Sequence, residues 1–132
     1  MSVRVLVVDD EPDVETLFRQ QFRREVRAGL YTMDFALSGR VALDKLAGCA
    51  GEQIIVLVSD LDKPGMSALE FLSVAQKQWP SLPVFMISDY DDSDTEAKAL
   101  ARGARKFLTK PVDFAQLKRE VTAVIAEAQG SG

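Results

Sequence analysis

The chain is predicted to fold as a doubly wound α/β domain, a parallel five-stranded sheet with helices on both faces. Short aliphatic runs alternate with stretches of helical periodicity along its whole length. Two of the runs, Val5-Leu6-Val7-Val8 and Ile54-Ile55-Val56-Leu57-Val58, are almost continuously β-branched or aliphatic, as suits strands buried on both faces. The polar residues capable of chemistry stand just past the carboxyl ends of such runs, where open α/β sheets keep their sites.

The strands are expected over Val3–Val8, Thr32–Leu37, Ile54–Ser59, Pro83–Ser88 and Arg105–Thr109. Val14, Leu17, Phe18, Phe22 and Val26 recur at helical steps and define the first helix, which Arg23–Leu30 extends toward Gly29 near its C-terminal cap. Ser38 caps the second helix, whose apolar face is Ala42, Leu43 and Leu46. Leu69, Leu72, Ala75 and Trp79 mark the third. The stretch Asp91–Ala101, acidic at its start and alanine-rich after, is the weakest helical pattern. Phe114, Leu117, Val121, Val124, Ile125 and Ala128 mark the fifth. Residues 1–128 form the domain and residues 129–132 a flexible tail.

At 132 residues with 47% apolar content, the chain is the size of one domain and can bury a core without a disulfide or structural metal. It contains no histidine, which removes Ser-His-Asp and Cys-His catalysis and any His-ligated zinc site. Cys49 is the sole cysteine, so no intrachain disulfide can form. The formal net charge of -4 argues against direct nucleic-acid binding through a broad basic surface. No apolar run reaches the ~20 residues that span a bilayer, and Met1-Ser2-Val3-Arg4 does not open a secretion signal. A cytoplasmic protein without membrane contact is expected.

The first strand ends in Asp9-Asp10-Glu11, the third in Asp60-Leu61-Asp62, the fourth in Ser88-Asp89 and the fifth in Thr109-Lys110-Pro111. Asp9, Asp10 and Asp60 would converge at adjacent strand ends. Two like charges ~4 Å apart repel by about 4 kcal/mol at an effective dielectric near 20, and a hard divalent cation with oxygen ligands removes that cost. Mg²⁺ keeps waters and leaves room for a phosphate oxygen. Lys110 adds a point charge and Ser88 a hydroxyl. Together they describe a phosphoryl-transfer site, in which a carboxylate can serve as the nucleophile. Each group also has a plainer reading. Asp9-Asp10-Glu11 before Pro12 suits a helix start, Asp60 with Asp62 a turn, Ser88 a cap, Lys110-Pro111 a loop, and Phe107 a half-buried strand position. Their order and shared placement favour the site.

In this order the motifs resemble those of the receiver domains of two-component response regulators. Val5–Pro12 is similar to the family's acidic opening, Asp60–Met66 to the segment around its phosphoacceptor, Pro83–Ser88 to the strand ending in its hydroxyl residue, and Gly103–Pro111 to its closing lysine-proline motif. The likeness runs from about Val3 to Ala128. It implies a flavodoxin-like strand order 2-1-3-4-5. It also implies that Asp60 accepts a phosphoryl group from a sensor histidine kinase or histidine phosphotransfer protein. Asp10 would bind Mg²⁺ directly, Asp9 mainly through water, and Asp62 through its backbone carbonyl. Lys110 would contact the phosphoryl oxygens, Ser88 would move toward them, and Phe107 would turn inward as an aromatic switch. The face of the fourth helix, fifth strand and fifth helix would then change its preference for an output domain or downstream protein; the resemblance also allows a homodimer. Asp62, Asp89 and Tyr90 stand where they would modulate phosphorylation lifetime, and Asp89 occupies a position that is usually small.

Two other functions compete. A degenerate receiver would act only as a phosphorylation-independent docking domain, with Asp89 as its best support. A haloacid-dehalogenase-like phosphatase would use Asp60-Leu61-Asp62 as its nucleophile motif, but that family places the motif first and its metal-binding acids last, the reverse of the order here.

Overall fold

The computed structural model describes residues 3–48, 53–59, 66–89 and 93–130, the last three by backbone alone. The element order is β1 (Val3–Val8), α1 (Pro12–Gln21), α2 (Arg23–Arg27), β2 (Thr32–Ala36), α3 (Gly39–Ala47), β3 (Gln53–Ser59), α4 (Ala68–Gln78), β4 (Val84–Ser88), α5 (Ser93–Ala101), β5 (Lys106–Thr109) and α6 (Phe114–Gly130). The strands form one parallel sheet in the order β2-β1-β3-β4-β5, as the resemblance implied. The helix α6 reaches past residue 128.

Alternation along the central strands divides the core in two. Val3, Val5 and Val7 of β1, Ile55 and Leu57 of β3, and Phe85 and Ile87 of β4 pack under α1 and α6, against Phe18, Leu117 and Val121. Leu6, Val8, Val56, Val58, Val84 and Met86 point the other way, against Ala42 and Leu46 of α3, Phe71, Leu72 and Ala75 of α4, and Ala99 of α5. Burying both faces explains the unbroken aliphatic runs of β1 and β3.

The helix starts follow their caps. Ser38 Oγ accepts from the Val41 N–H at 3.1 Å and Ser67 Oγ from the Glu70 N–H at 3.1 Å, each worth about 1 kcal/mol. Asp113 Oδ1 accepts from the Gln116 N–H at 3.2 Å ahead of α6. Pro12 opens α1, where its missing N–H costs nothing. Gly29 (φ 77°) and Gly103 (φ 103°) follow α2 and α5 in the left-handed region. In each turn the glycine N–H and the next N–H bond back to the helix: Gly29 to Val26 and Leu30 to Glu25, Gly103 to Leu100 and Ala104 to Ala99.

The first helix departs from expectation. It breaks at Phe22, whose backbone is non-helical (φ -103°, ψ 13°), so Arg23–Arg27 is a separate short helix. Phe22 is fully buried among Phe18, Tyr31 and Phe114, with ring centroids 5.9, 6.1 and 6.2 Å away. Leu17 and Val26, both expected on the apolar face, are instead 43% and 39% exposed. The change of direction at Phe22 takes Val26 off the stripe that Phe18 and Phe22 continue. On α2, Glu25 pairs with Lys118 of α6 at 3.4 Å, which ties this short helix to the body of the domain.

Candidate functional site

The parallel register brings the carboxyl ends of four strands to one edge. Val8 pairs with Val58, Ser59 with Ile87, and Ser88 with Thr109. Among the described residues, the buried polar or charged side chains are Asp9 (7% exposed), Asp10 (7%), Ser59 (5%) and Ser88 (0%). All of them stand at these strand ends. Burying a polar group costs free energy unless it is hydrogen-bonded, and a buried charge costs more. For these four side chains that cost falls at one end of the sheet.

Asp9 shows how part of the cost is met. Its N–H donates to Ala36 O at 3.0 Å, which fixes the backbone beside the end of β2. Its Oδ1 accepts from the Glu11 N–H at 2.9 Å. Its Oδ2 accepts from the Ser59 hydroxyl, which also lies 3.4 Å from Val8 O. Both carboxylate oxygens are therefore engaged, and β1 is stitched to β3 where the site opens.

On the other side, Ser88 closes β4, and its carbonyl accepts from the Lys110 N–H at 2.8 Å. This bond places Lys110 at the rim, ahead of a cis peptide to Pro111. The Lys110 ammonium lies 3.6 Å from the carboxylate of exposed Asp89. Phe107 is half-buried in β5 opposite Met86 and packs on the core under α3, α4 and α5, the plain reading of that position.

Of the sequence-predicted residues, the structure brings Asp9, Asp10, Ser88, Asp89 and Lys110 to one edge of the sheet, with Phe107 in the adjoining strand. Asp60, Asp62 and Tyr90 lie outside the described residues. Among the described residues no three acidic or thiol side chains group closely enough to hold a metal by themselves. The expected metal set needs Asp60, which follows Ser59 in the sequence. Asp9 and Asp10 fit a hard cation by chemistry: adjacent buried carboxylates offer the oxygen donors that Mg²⁺ prefers. Sequence reasoning missed Ser59. Its signal was a hydroxyl closing an otherwise aliphatic strand, directly before the expected acceptor.

A second carboxylate cluster serves the frame. Asp34 on β2 binds Lys45 of α3 at 3.0 and 3.1 Å and lies 3.7 Å from Arg4 of β1. Burial pushes the Asp34 carboxyl up, but the Lys45 hydrogen bond, the Phe35 N–H and the charges of Lys45 and Arg4 outweigh it and hold it below the usual carboxylate range.

Known proteins share this sequence pattern and this fold. The family model described as the response regulator receiver domain matches residues 5–122. The response regulator protein PilR of Pseudomonas aeruginosa is 34% identical over 122 residues, which cover 92% of this chain and 26% of that protein. A DNA-binding transcriptional regulator, NtrC of Proteus hauseri, is 32% identical over 122 residues, covering 89% of this chain and 24% of its own. The chain thus spans about a quarter of the length of these two relatives. Among solved structures, the response regulator TrrA of Thermotoga maritima, in complex with Mg²⁺-BeF, superposes with a TM-score of 0.76 at 28% identity, over 93% of this chain and 98% of that one. A receiver domain from Clostridium thermocellum gives 0.85 at 20% identity, over 98% and 99%, which speaks to the fold alone. With its strand order, its buried polar edge and a family match over nearly its whole length, the chain belongs to the response regulator receiver domain family of two-component systems.

Proposed function

We propose that this domain accepts a phosphoryl group on Asp60, with Mg²⁺ held by Asp9, Asp10, the Asp60 carboxylate and the Asp62 carbonyl. The observation that carries the reading is the collection of buried polar side chains, Asp9, Asp10, Ser59 and Ser88, at the ends of β1, β3 and β4, with Asp60 directly following β3 in the sequence. The Mg²⁺-BeF complex of the similar receiver TrrA supports the choice of cation. When bound, Mg²⁺ would offset the acidic charge and draw phosphoryl oxygens toward Asp60.

The chain's own residues supply the rest. Asp60 attacks phosphorus as a carboxylate, and the bond between phosphorus and the donor nitrogen of a partner's phosphohistidine breaks. Lys110 leaves Asp89 to neutralise the transferred group. Ser88 donates its hydroxyl to a phosphoryl oxygen, and Phe107 fills the space that this movement opens. The face formed by α5, β5 and α6 then shifts its preference for an output domain or downstream protein. This domain itself makes no direct nucleic-acid contact in this reading; DNA binding in relatives such as NtrC belongs to those longer proteins. Asp62, Asp89 and Tyr90 set the lifetime of the phosphorylated state.

A small phosphodonor separates this reading from a purely docking role. Incubated with acetyl phosphate and Mg²⁺, the wild-type domain gains one hydroxylamine-labile phosphate by intact mass, and chelation of Mg²⁺ prevents the gain. A wild-type domain that stays unmodified under these conditions would refute the signalling mechanism.

A further inference from the structure

We infer that Ser59 is a positioning residue for Mg²⁺: its hydroxyl holds the Asp9 carboxylate in the orientation in which the metal is bound. This rests on the proposed metal site. The Ser59 side chain is 5% exposed and closes β3, and its hydroxyl donates to Asp9 Oδ2 across the β1–β3 junction. The Glu11 N–H holds the other oxygen at 2.9 Å. Two donors on the two oxygens fix the rotation of the carboxylate about its Cβ–Cγ bond, which a single donor would leave free. The backbone beneath it is fixed as well, by the 3.0 Å bond from the Asp9 N–H to Ala36 O.

A carboxylate that serves a cation, directly or through a bound water, depends on its outer hydrogen-bond partners for its aim. Mg²⁺ is strict about octahedral geometry, so misaligned oxygens lower its affinity more than they would for a larger cation. The hydroxyl also satisfies part of a buried charge without adding a competing positive charge, which a lysine there would do. Ser59 is the sequence neighbour of Asp60.

The test is a double-mutant cycle read by Mg²⁺ titration, following backbone amide resonances rather than phosphorylation. Ser59→Ala weakens Mg²⁺ binding by about three- to tenfold, less than the roughly 10- to 100-fold that follows loss of an outer partner of a direct metal ligand, because Asp9 reaches the metal mainly through water. Ser59→Thr, which keeps the hydroxyl, restores most of it. In an Asp9→Asn background the same Ser59→Ala change has almost no further effect on Mg²⁺. An equal loss in both backgrounds, or no loss in either, overturns the inference. A wild-type domain that binds no Mg²⁺ overturns it too, and in that case the proposed metal site falls with it. Urea unfolding without Mg²⁺ separates a general loss of stability from the coupling, since destabilisation alone would not disappear when Asp9 is changed.

Discussion

At the scale of single residues, the contact that most affects the proposed chemistry is the one between Asp89 and Lys110. The ammonium that should meet the phosphoryl group lies 3.6 Å from a competing carboxylate. Both groups are partly exposed, so the pair itself contributes at most about 1 kcal/mol. In the proposed reaction its cost would be kinetic: Lys110 would have to change partner, and an incoming dianion would have to pass a negative charge. Asp89→Ala should therefore raise the rate of labelling by acetyl phosphate about two- to fivefold, measured as initial rates at low ionic strength. Adding salt should narrow the gap, because a screened charge repels less. An unchanged rate would mean that Asp89 does not gate the site. These residues were legible because acids, a hydroxyl and a lysine at successive strand ends have few joint explanations. Ser59 was not, since one serine at the end of an apolar strand carries no sign of what it faces until the register places Val8 and Asp9 beside it.

At the scale of elements, strands and caps followed the sequence closely, and the first helix did not. Periodicity counted Val26 into one long apolar stripe with Phe18 and Phe22, but the helix turns at Phe22 to keep that ring inside an aromatic cluster. A helical repeat cannot report a break whose cause is packing against α6, more than ninety residues away in the chain. The turns after α2 and α5 offer a quantitative contrast. A Cβ on Gly29 would meet nothing within 4 Å, whereas one on Gly103 would run into the side chain of Gln76, itself held by a 3.0 Å bond to Leu82 O. Gly29→Ala should cost about 1 kcal/mol, the left-handed penalty alone. Gly103→Ala should cost about 2–3 kcal/mol, because it adds overpacking. Urea denaturation of the two variants checks this, and equal costs would contradict the close approach of the turn after α5 to Gln76 of α4.

At the scale of the whole molecule, two cores meet at a sheet whose edge strand β2 is tied in by Asp34. Folding favours the ionised form of Asp34, since its carboxyl is held below the usual range despite burial. Its contribution is full above about pH 4 and drains away as the pH falls through the lowered value. Lys45→Ala should make the domain less stable at pH 7, and the difference from wild type should narrow as the pH falls below about 4, in urea midpoints taken at each pH. A constant difference would mean that Lys45 acts through packing on α3 alone. The same architecture explains why the fold was readable: a sheet buried on both faces needs unbroken aliphatic strands, and the turns between them collect what is left for chemistry. No described helix is long and apolar enough to cross a membrane.

The central claim is that Asp60 carries the phosphoryl group, and reductive trapping tests it most directly. Borohydride converts an aspartyl-phosphate to homoserine, and peptide mass spectrometry locates the change. After acetyl phosphate and Mg²⁺, the account predicts homoserine at position 60 in the wild type, with Asp9 and Asp10 unmodified and no conversion at position 60 in Asp60→Asn. Conversion at another aspartate in the wild type, or none anywhere, would contradict it.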